Sequence, residues 1–214
     1  FARKSNDHKE PVQVSLVIAE ALKLLRASLP TSIKIEQEIN SNANVFGDTT
    51  QIHQVVMNLC TNAGRAMRHG GLLRVTLSEV DLDQNFIANH FGATAGRHLQ
   101  LTVTDTGVGI PPELLSQIFD PFFTTRAQGE GTGLGLSVVH GIIKDCQGII
   151  TVASEPGNGC EFNIYLPAID SKVSDLVKTD RKLPVGNERI LLVDDEEMLV
   201  SMTNDFLTNL GYSV

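Results

Sequence analysis

Two glycine-rich stretches, DTGVGI starting at Asp105 and GEGTGLGLS ending at Ser137, begin about two dozen residues apart and flank the segment IFDPFFTT at 118–125. Glycines at this density let a backbone take positive φ and bring its amide hydrogens against a ligand, which is how loops grip phosphates. The first stretch follows an acidic residue and the second runs into a helical pattern, so the pair predicts a nucleotide site. Two simpler assignments fail. A dinucleotide-binding glycine motif follows the first strand of a βαβ unit, and the common phosphate loop ends in Gly-Lys-Ser/Thr. Here Gly135 is followed by Leu136 and Ser137, with no lysine, so the phosphates have to meet backbone amides and a helix N-terminus.

Upstream, residues 48–67 read DTTQIHQVVMNLCTNAGRAM, in which Ile52, Val55, Val56, Leu59, Ala63, Ala66 and Met67 recur at helical spacing. At roughly 100° per residue, Gln51, Gln54, Asn58, Asn62 and Arg65 fall within roughly 40° of Asn58 on one face. A polar stripe is ordinarily a solvated face. Asparagine is a poor mid-helix residue, however, and a face that was merely wet would favour Glu, Lys or Gln. Two asparagines one turn apart point to carbonyl oxygens kept for a cation or a water. Magnesium takes oxygen ligands and is usually shared with substrate phosphates.

These motifs, with IFDPFF between the glycine stretches, occur in the order found in the ATP-binding catalytic domain of bacterial sensor histidine kinases, and residues 12–169 resemble that family. The helical segment with Asn58 and Asn62 is similar to its asparagine box, DTGVGI to the first glycine box, IFDPFF to the phenylalanine box and GTGLGLS to the second glycine box. The resemblance implies ATP and magnesium as ligands and a two-layer α/β sandwich of the Bergerat type, a mixed sheet with helices on one face. It implies that Asn62 binds the magnesium ion and that Asn58 stands where related ATPases carry a catalytic glutamate. Asp105 would accept from the adenine amino group, with Gly107, Gly109 and Ile110 shaping the base pocket. Gly131, Thr132, Gly133, Leu134, Gly135 and Leu136 would cradle the phosphates. Arg65 and Arg126 are further candidate phosphate contacts, against the plainer reading of each as a surface charge.

Residue chemistry agrees with these roles. Asp105 ends an alternating run in which Leu99, Leu101 and Val103 share one strand face and Gln100, Thr102 and Thr104 the other. On DTG alone it reads equally as a turn-forming aspartate. Phe119, Phe122 and Phe123 bracket an Asp-Pro turn, and one or two of the rings are expected to anchor the base of the following loop, TTRAQGEGTG, which reads as a lid. Helices are expected at 12–29, 48–68, 112–119 and 133–146, and strands at 33–39, 72–82, 98–105, 148–154 and 160–166, with 84–98 a long connection.

A formal charge of −8 gives little reason to expect nucleic-acid binding, and no apolar run is long enough to span a membrane. Cys60, Cys146 and Cys160 have no metal-type spacing, which suggests reduced thiols and a cytoplasmic setting. Residues 1–11 read as a leader from a preceding dimerisation domain and 170–187 as a linker. Residues 188–214, RILLVDDEEMLVSMTNDFLTNLGYSV after Glu188, resemble the first strand and helix of a response-regulator receiver domain, in which Asp194 and Asp195 would help hold magnesium. Such a piece alone cannot bury its sheet and is expected to be disordered or to borrow a partner surface. None of the six histidines stands in the phosphoacceptor context of the family. The expected partners are therefore a histidine-containing dimerisation domain of the same parent protein, and a receiver of that parent or a separate response regulator. This fragment should bind ATP without phosphorylating itself. An ATPase of the same superfamily and a degenerate nucleotide-binding scaffold are the competing readings.

Overall fold

The computed structural model describes residues 9–89, 94–125, 132–169, 186–193, 204, 207–208 and 210–213. The chain divides into two units, Phe1–Val173 and Ser174–Val214. In the first, the elements run β1 (Glu10–Gln13), α1 (Val14–Ser28), β2 (Ile33–Ile39), β3 (Asn44–Gly47), α2 (Thr49–Ala66), β4 (Gly71–Leu82), α3 (Gln84–Asn89), β5 (Gly96–Asp105), a 3-10 turn (Pro112–Leu114), α4 (Gly135–Asp145), β6 (Ile149–Glu155) and β7 (Gly159–Ile169).

The strands form one mixed sheet in the order β1-β3-β7-β5-β4-β2, with β6 also paired to β7. Only β2 and β4 run parallel among the named strand pairs; the other pairings are antiparallel. Period-two alternation sends Leu73, Val75 and Leu77 of β4, Leu99, Leu101 and Val103 of β5, and Ile164 and Leu166 of β7 into the core. Ile18, Leu22 and Leu25 of α1, Ile52, Val56 and Leu59 of α2, and Val139 and Ile143 of α4 complete it. The opposite face is polar, with Gln100 and Thr102 donating to Asn163 Oδ1 at 3.0 and 2.6 Å. This is the expected two-layer sandwich.

Several boundaries depart from the sequence reading. Residues 10–13 do not open a helix at position 12; they form an edge strand antiparallel to β3. Pro11 has no N–H to give a ladder, and an edge strand is where a sheet tolerates that. Residues 112–119 form no α-helix: Leu114, Leu115 and Gln117 each donate to the carbonyl three residues back, after the Pro111-Pro112 pair has set extended geometry. The stretch 84–98 is not wholly a connection, because Asp83 Oδ1 accepts from the Phe86 amide at 2.8 Å and starts α3. The helix expected from 133 begins at Gly135, and β3 was not anticipated.

In the second unit, Arg189 and Ser213 form a parallel bridge, with Ile190 N–H donating to the Ser213 carbonyl at 2.8 Å and Ser213 N–H to the Glu188 carbonyl at 3.0 Å. Leu191 and Val193 are 89% and 81% exposed. Asp194 and Asp195 lie outside the described residues. No helix among the described residues is long and apolar enough to cross a membrane.

Candidate nucleotide-binding site

The C-terminal half of the polar face of α2 forms one wall of a cavity of about 1050 Å³. The Asp105 end of β5, the loop that follows it, residues from 114–125, the start of α4 with the two residues before Leu134, and Cys160 and Phe162 of β7 supply the rest. Asp48 holds the N-terminus of α2 by accepting from the Gln51 amide at 3.0 Å, and the buried side of the helix fixes its rotation, so Asn58, Thr61, Asn62 and Arg65 face inward to the cavity.

Asp105 is 4% exposed. Its Oδ1 accepts from Gly107 N–H at 2.8 Å. Burial pushes its carboxyl above the ordinary carboxylate range, and the backbone N–H groups of Gly107 and Cys160 pull the other way. A buried carboxylate with backbone donors on one side and a cavity on the other is suited to accept from an amine that enters the cavity. The turn reading of DTG is realised, since Gly107 closes a turn on the Asp105 carboxylate, and the same carboxylate lines the cavity.

The loop after Asp105 needs glycine at position 109. Its φ is +72°, and a Cβ there would run into the Glu155 carbonyl. The second glycine stretch has the same requirement at Gly133, where φ is +66° and a Cβ would collide with the backbone of Phe122. Phe122 itself holds a positive φ of 68° and donates its N–H to the Gly133 carbonyl at 3.0 Å, so the two ends of the 123–132 stretch are tied together. Its ring is 74% exposed, whereas Phe119 and Phe123 pack against the core and Phe119 stacks on His140 with centroids 5.4 Å apart. Two of the three phenylalanines thus anchor the base of the loop.

Asn58 and Asn62 meet the start of α4. Asn58 Nδ2 donates to the Gly135 carbonyl at 3.3 Å, and a Cβ on Gly135 would lie 3.8 Å from both Asn58 Oδ1 and Asn62 Nδ2. The N-terminus of an eleven-residue helix, with its unsatisfied amides and positive dipole end, therefore sits beside two amide side chains. Among the described residues no group of three or more His, Cys, Asp or Glu is placed to hold a metal.

Ten of the expected residues line the cavity: Asn58, Asn62, Arg65, Asp105, Gly109, Ile110, Thr132, Gly133, Gly135 and Leu136. Gly107 stands one layer behind Asp105, and Leu134 precedes α4 as its N-cap without lining the cavity. Arg126 and Gly131 lie outside the described residues. Thr61, Arg68, Cys160 and Phe162 line the cavity and were not anticipated. Arg68 repeats Arg65 three residues on, a signal the sequence carried; Cys160 and Phe162 are brought there by the register of β7 against β5. Cys60, Cys146 and Cys160 are free and buried, and burial pushes the Cys60 thiol up to about 12, which leaves it un-ionised at neutral pH.

Residues 47–170 match the family described as histidine kinase-, DNA gyrase B- and HSP90-like ATPase. The chain is 34% identical over 226 residues to the sensor kinase CckA of Brucella abortus (strain 2308), with all of this chain and 24% of that protein covered. It is 30% identical over 223 residues to the aerobic respiration control sensor protein ArcB of Escherichia coli (strain K12), with 99% and 26% covered. The chain thus spans about a quarter of the length of these curated relatives. Among solved structures, the mycobacterial sensor histidine kinase MprB superposes with a TM-score of 0.62 at 27% identity, over 75% of this chain and 97% of that one. The nucleotide-free catalytic domain of histidine kinase ThkA gives 0.60 at 30% identity, over 75% and 95%. With its mixed sheet, asparagine helix and glycine loops around one cavity, the chain belongs to the histidine kinase-, DNA gyrase B- and HSP90-like ATPase family, as an ATP-binding domain of the sensor histidine kinase kind.

Proposed function

We propose that this domain binds Mg-ATP in the cavity and transfers the γ-phosphoryl group to a histidine on a separate dimerisation domain. The observation that carries the reading is the placement of a buried carboxylate, Asp105, across one cavity from two asparagines and a helix N-terminus. Asp105 fixes the adenine amine. The amides at the start of α4, with Thr132 and Gly133, receive the phosphates, and Arg65 adds charge.

A magnesium ion fits the donor set as a substrate-shared ion. Asn62 lines the cavity with its side-chain amide near the start of α4 and carries one oxygen donor, the described residues supply no carboxylate cluster, and magnesium needs few protein ligands when phosphates provide the rest. When bound, it would neutralise phosphate charge. In the transfer, the bond from Pγ to the β,γ-bridging oxygen breaks, a bond from phosphorus to imidazole nitrogen forms, ADP leaves and the imidazole gives up a proton. The chain's share is position and charge. With Asn58 Nδ2 engaged by the Gly135 carbonyl, Asn58 Oδ1 is the atom available to accept from the incoming imidazole N–H and hold its tautomer. A same-fold hydrolase would need a general base at that place, which an amide cannot be.

The reading extends to a hybrid kinase. The parallel bridge between Arg189 and Ser213 is the pairing that a strand, crossover and parallel strand would produce, and the match to CckA covers the whole of this chain. In this reading 188–214 begins a receiver domain, and Asp194 and Asp195 begin its acidic site.

The test is transfer itself. The chain, Mg-ATP labelled at the γ position and a separately produced histidine-bearing dimerisation domain are mixed, and acid-labile phosphate on that domain is the expected product. Labelled inorganic phosphate alone, at a rate unaffected by the added domain, would support hydrolysis instead.

A further inference from the structure

Asp105, Cys160 and Ser154 stand in one row across three strands: Asp105 of β5 pairs with Cys160 of β7, which pairs with Ser154 of β6. Residues directly opposite in neighbouring strands share a sheet face. Asp105 and Cys160 line the cavity, and Ser154 stands behind them. The Ser154 hydroxyl nevertheless joins three segments. Its Oγ accepts the Ile110 N–H at 2.8 Å, donates to the Gly159 carbonyl at 2.7 Å and lies 3.1 Å from Cys160 Sγ. A serine hydroxyl owns one hydrogen. With that hydrogen given to Gly159, the thiol of Cys160 is the donor in the sulfur contact.

The loop that this hydroxyl reaches is the one expected to shape the base pocket. Its other ties to the β6–β7 turn are the Gly157 N–H donating to the Val108 carbonyl at 2.8 Å and the close approach of Gly109 to Glu155. At Ile110 the backbone donor is satisfied by a side chain rather than by a ladder. We infer that Ser154 is a positioning residue for base binding: it clamps the end of the Gly107–Ile110 loop to the β6–β7 hairpin and fixes the Cys160 thiol beside Asp105, without touching the nucleotide. The inference rests on the nucleotide reading above. Removing the hydroxyl strands the Ile110 N–H, so the loop either leaves a partly buried donor unpaired or moves off the hairpin.

The expected signature is confined to the base end. Titration calorimetry with adenosine, ADP and Mg-ATP should show Ser154→Ala weakening all three by the same factor, about tenfold, the equivalent of one to two net hydrogen bonds. Ser154→Thr, which keeps the hydroxyl, should bind each within about threefold of the parent, a difference smaller than one net hydrogen bond. Hydrogen exchange at the Ile110 amide should quicken in the alanine variant and not in the threonine one. If Ser154→Ala does not fold, Ser154→Cys, of similar size and weaker as an acceptor, takes its place and should show a smaller loss that is again uniform across the three ligands. Parent-like affinities in the alanine or cysteine variant, or a loss that grows from adenosine to ATP, would overturn the inference. Failure of the parent chain to bind any of the three would instead overturn the nucleotide reading on which it rests.

Discussion

Asp105→Asn separates a binding role for this carboxylate from a structural one. The two readings predict opposite effects on the ligand-free protein. Oδ1 accepts from the Gly107 N–H at 2.8 Å, an interaction the amide oxygen of asparagine can keep. The variant sheds the cost of burying a charge, which is the leading cause of the raised pKa. The sign follows from linkage: with the folded pKa above the ordinary 3.8, the folded state holds more protons than the unfolded state between those two values, so stability falls as pH rises through that window. The ionised carboxylate is therefore a liability at neutral pH. Without nucleotide, Asp105→Asn should melt at or above the parent temperature at pH 7, and any gain should shrink as pH falls toward 3.8. Binding should go the other way. A hydrogen bond to a charged acceptor contributes about 1.5–3 kcal/mol, and the new Nδ2 donor would face the donor of the base, so affinity for Mg-ATP should fall roughly ten- to hundredfold. The chain has no tryptophan, so calorimetry or a dye must report the melt. A destabilised variant that binds nucleotide normally would refute the reasoning.

Other perturbations divide the site by its parts. Gly133→Ala, forced to hold a φ of +66° against the Phe122 backbone, should lose about 1–2 kcal/mol of stability and weaken ATP more than adenosine in parallel titrations. Asn62→Asp adds a negative charge where the phosphates are expected; in chelator its affinity for ATP should drop about tenfold with adenosine unaffected, and magnesium should recover part of the loss. Leu101→Ala, 2% exposed in the middle of β5, should cost about 2–5 kcal/mol in a urea titration. Arg65 is exposed at the cavity wall, so ATP affinity should weaken with rising salt, and less steeply in Arg65→Gln.

The parts of this fold legible in the sequence are those whose signal is local and periodic. β5 shows its two faces in its own alternation, and α2 shows a core stripe opposite an asparagine stripe that a solvated helix would not choose. The glycine boxes were legible because Gly109 and Gly133 hold left-handed geometry that other residues resist. What failed was decided elsewhere in the chain. β1 is a strand because β3 offers it an edge, and β3 is a four-residue strand with too little sequence to show alternation. Residues 112–119 have helix-compatible side chains, but the adjacent prolines set a tighter turn. The identical rings of Phe119, Phe122 and Phe123 part company only when the positive φ at Phe122 turns one outward. Cys160 and Ser154 join Asp105 through strand register, a relation between segments that no single window contains.

The most direct test of the central claim is the amide spectrum of the isotopically labelled chain titrated with Mg-ATP. If the cavity is the nucleotide site, the resonances that move furthest will be those of Asn58, Asn62, Gly107, Gly109, Ile110, Gly133 and Gly135, which come from three separated segments and meet only around this cavity. Adenosine alone should reproduce the shifts at Gly107, Gly109 and Ile110 and leave Gly135 in place. A spectrum unchanged at millimolar Mg-ATP, or shifts gathered on another surface, would contradict the account.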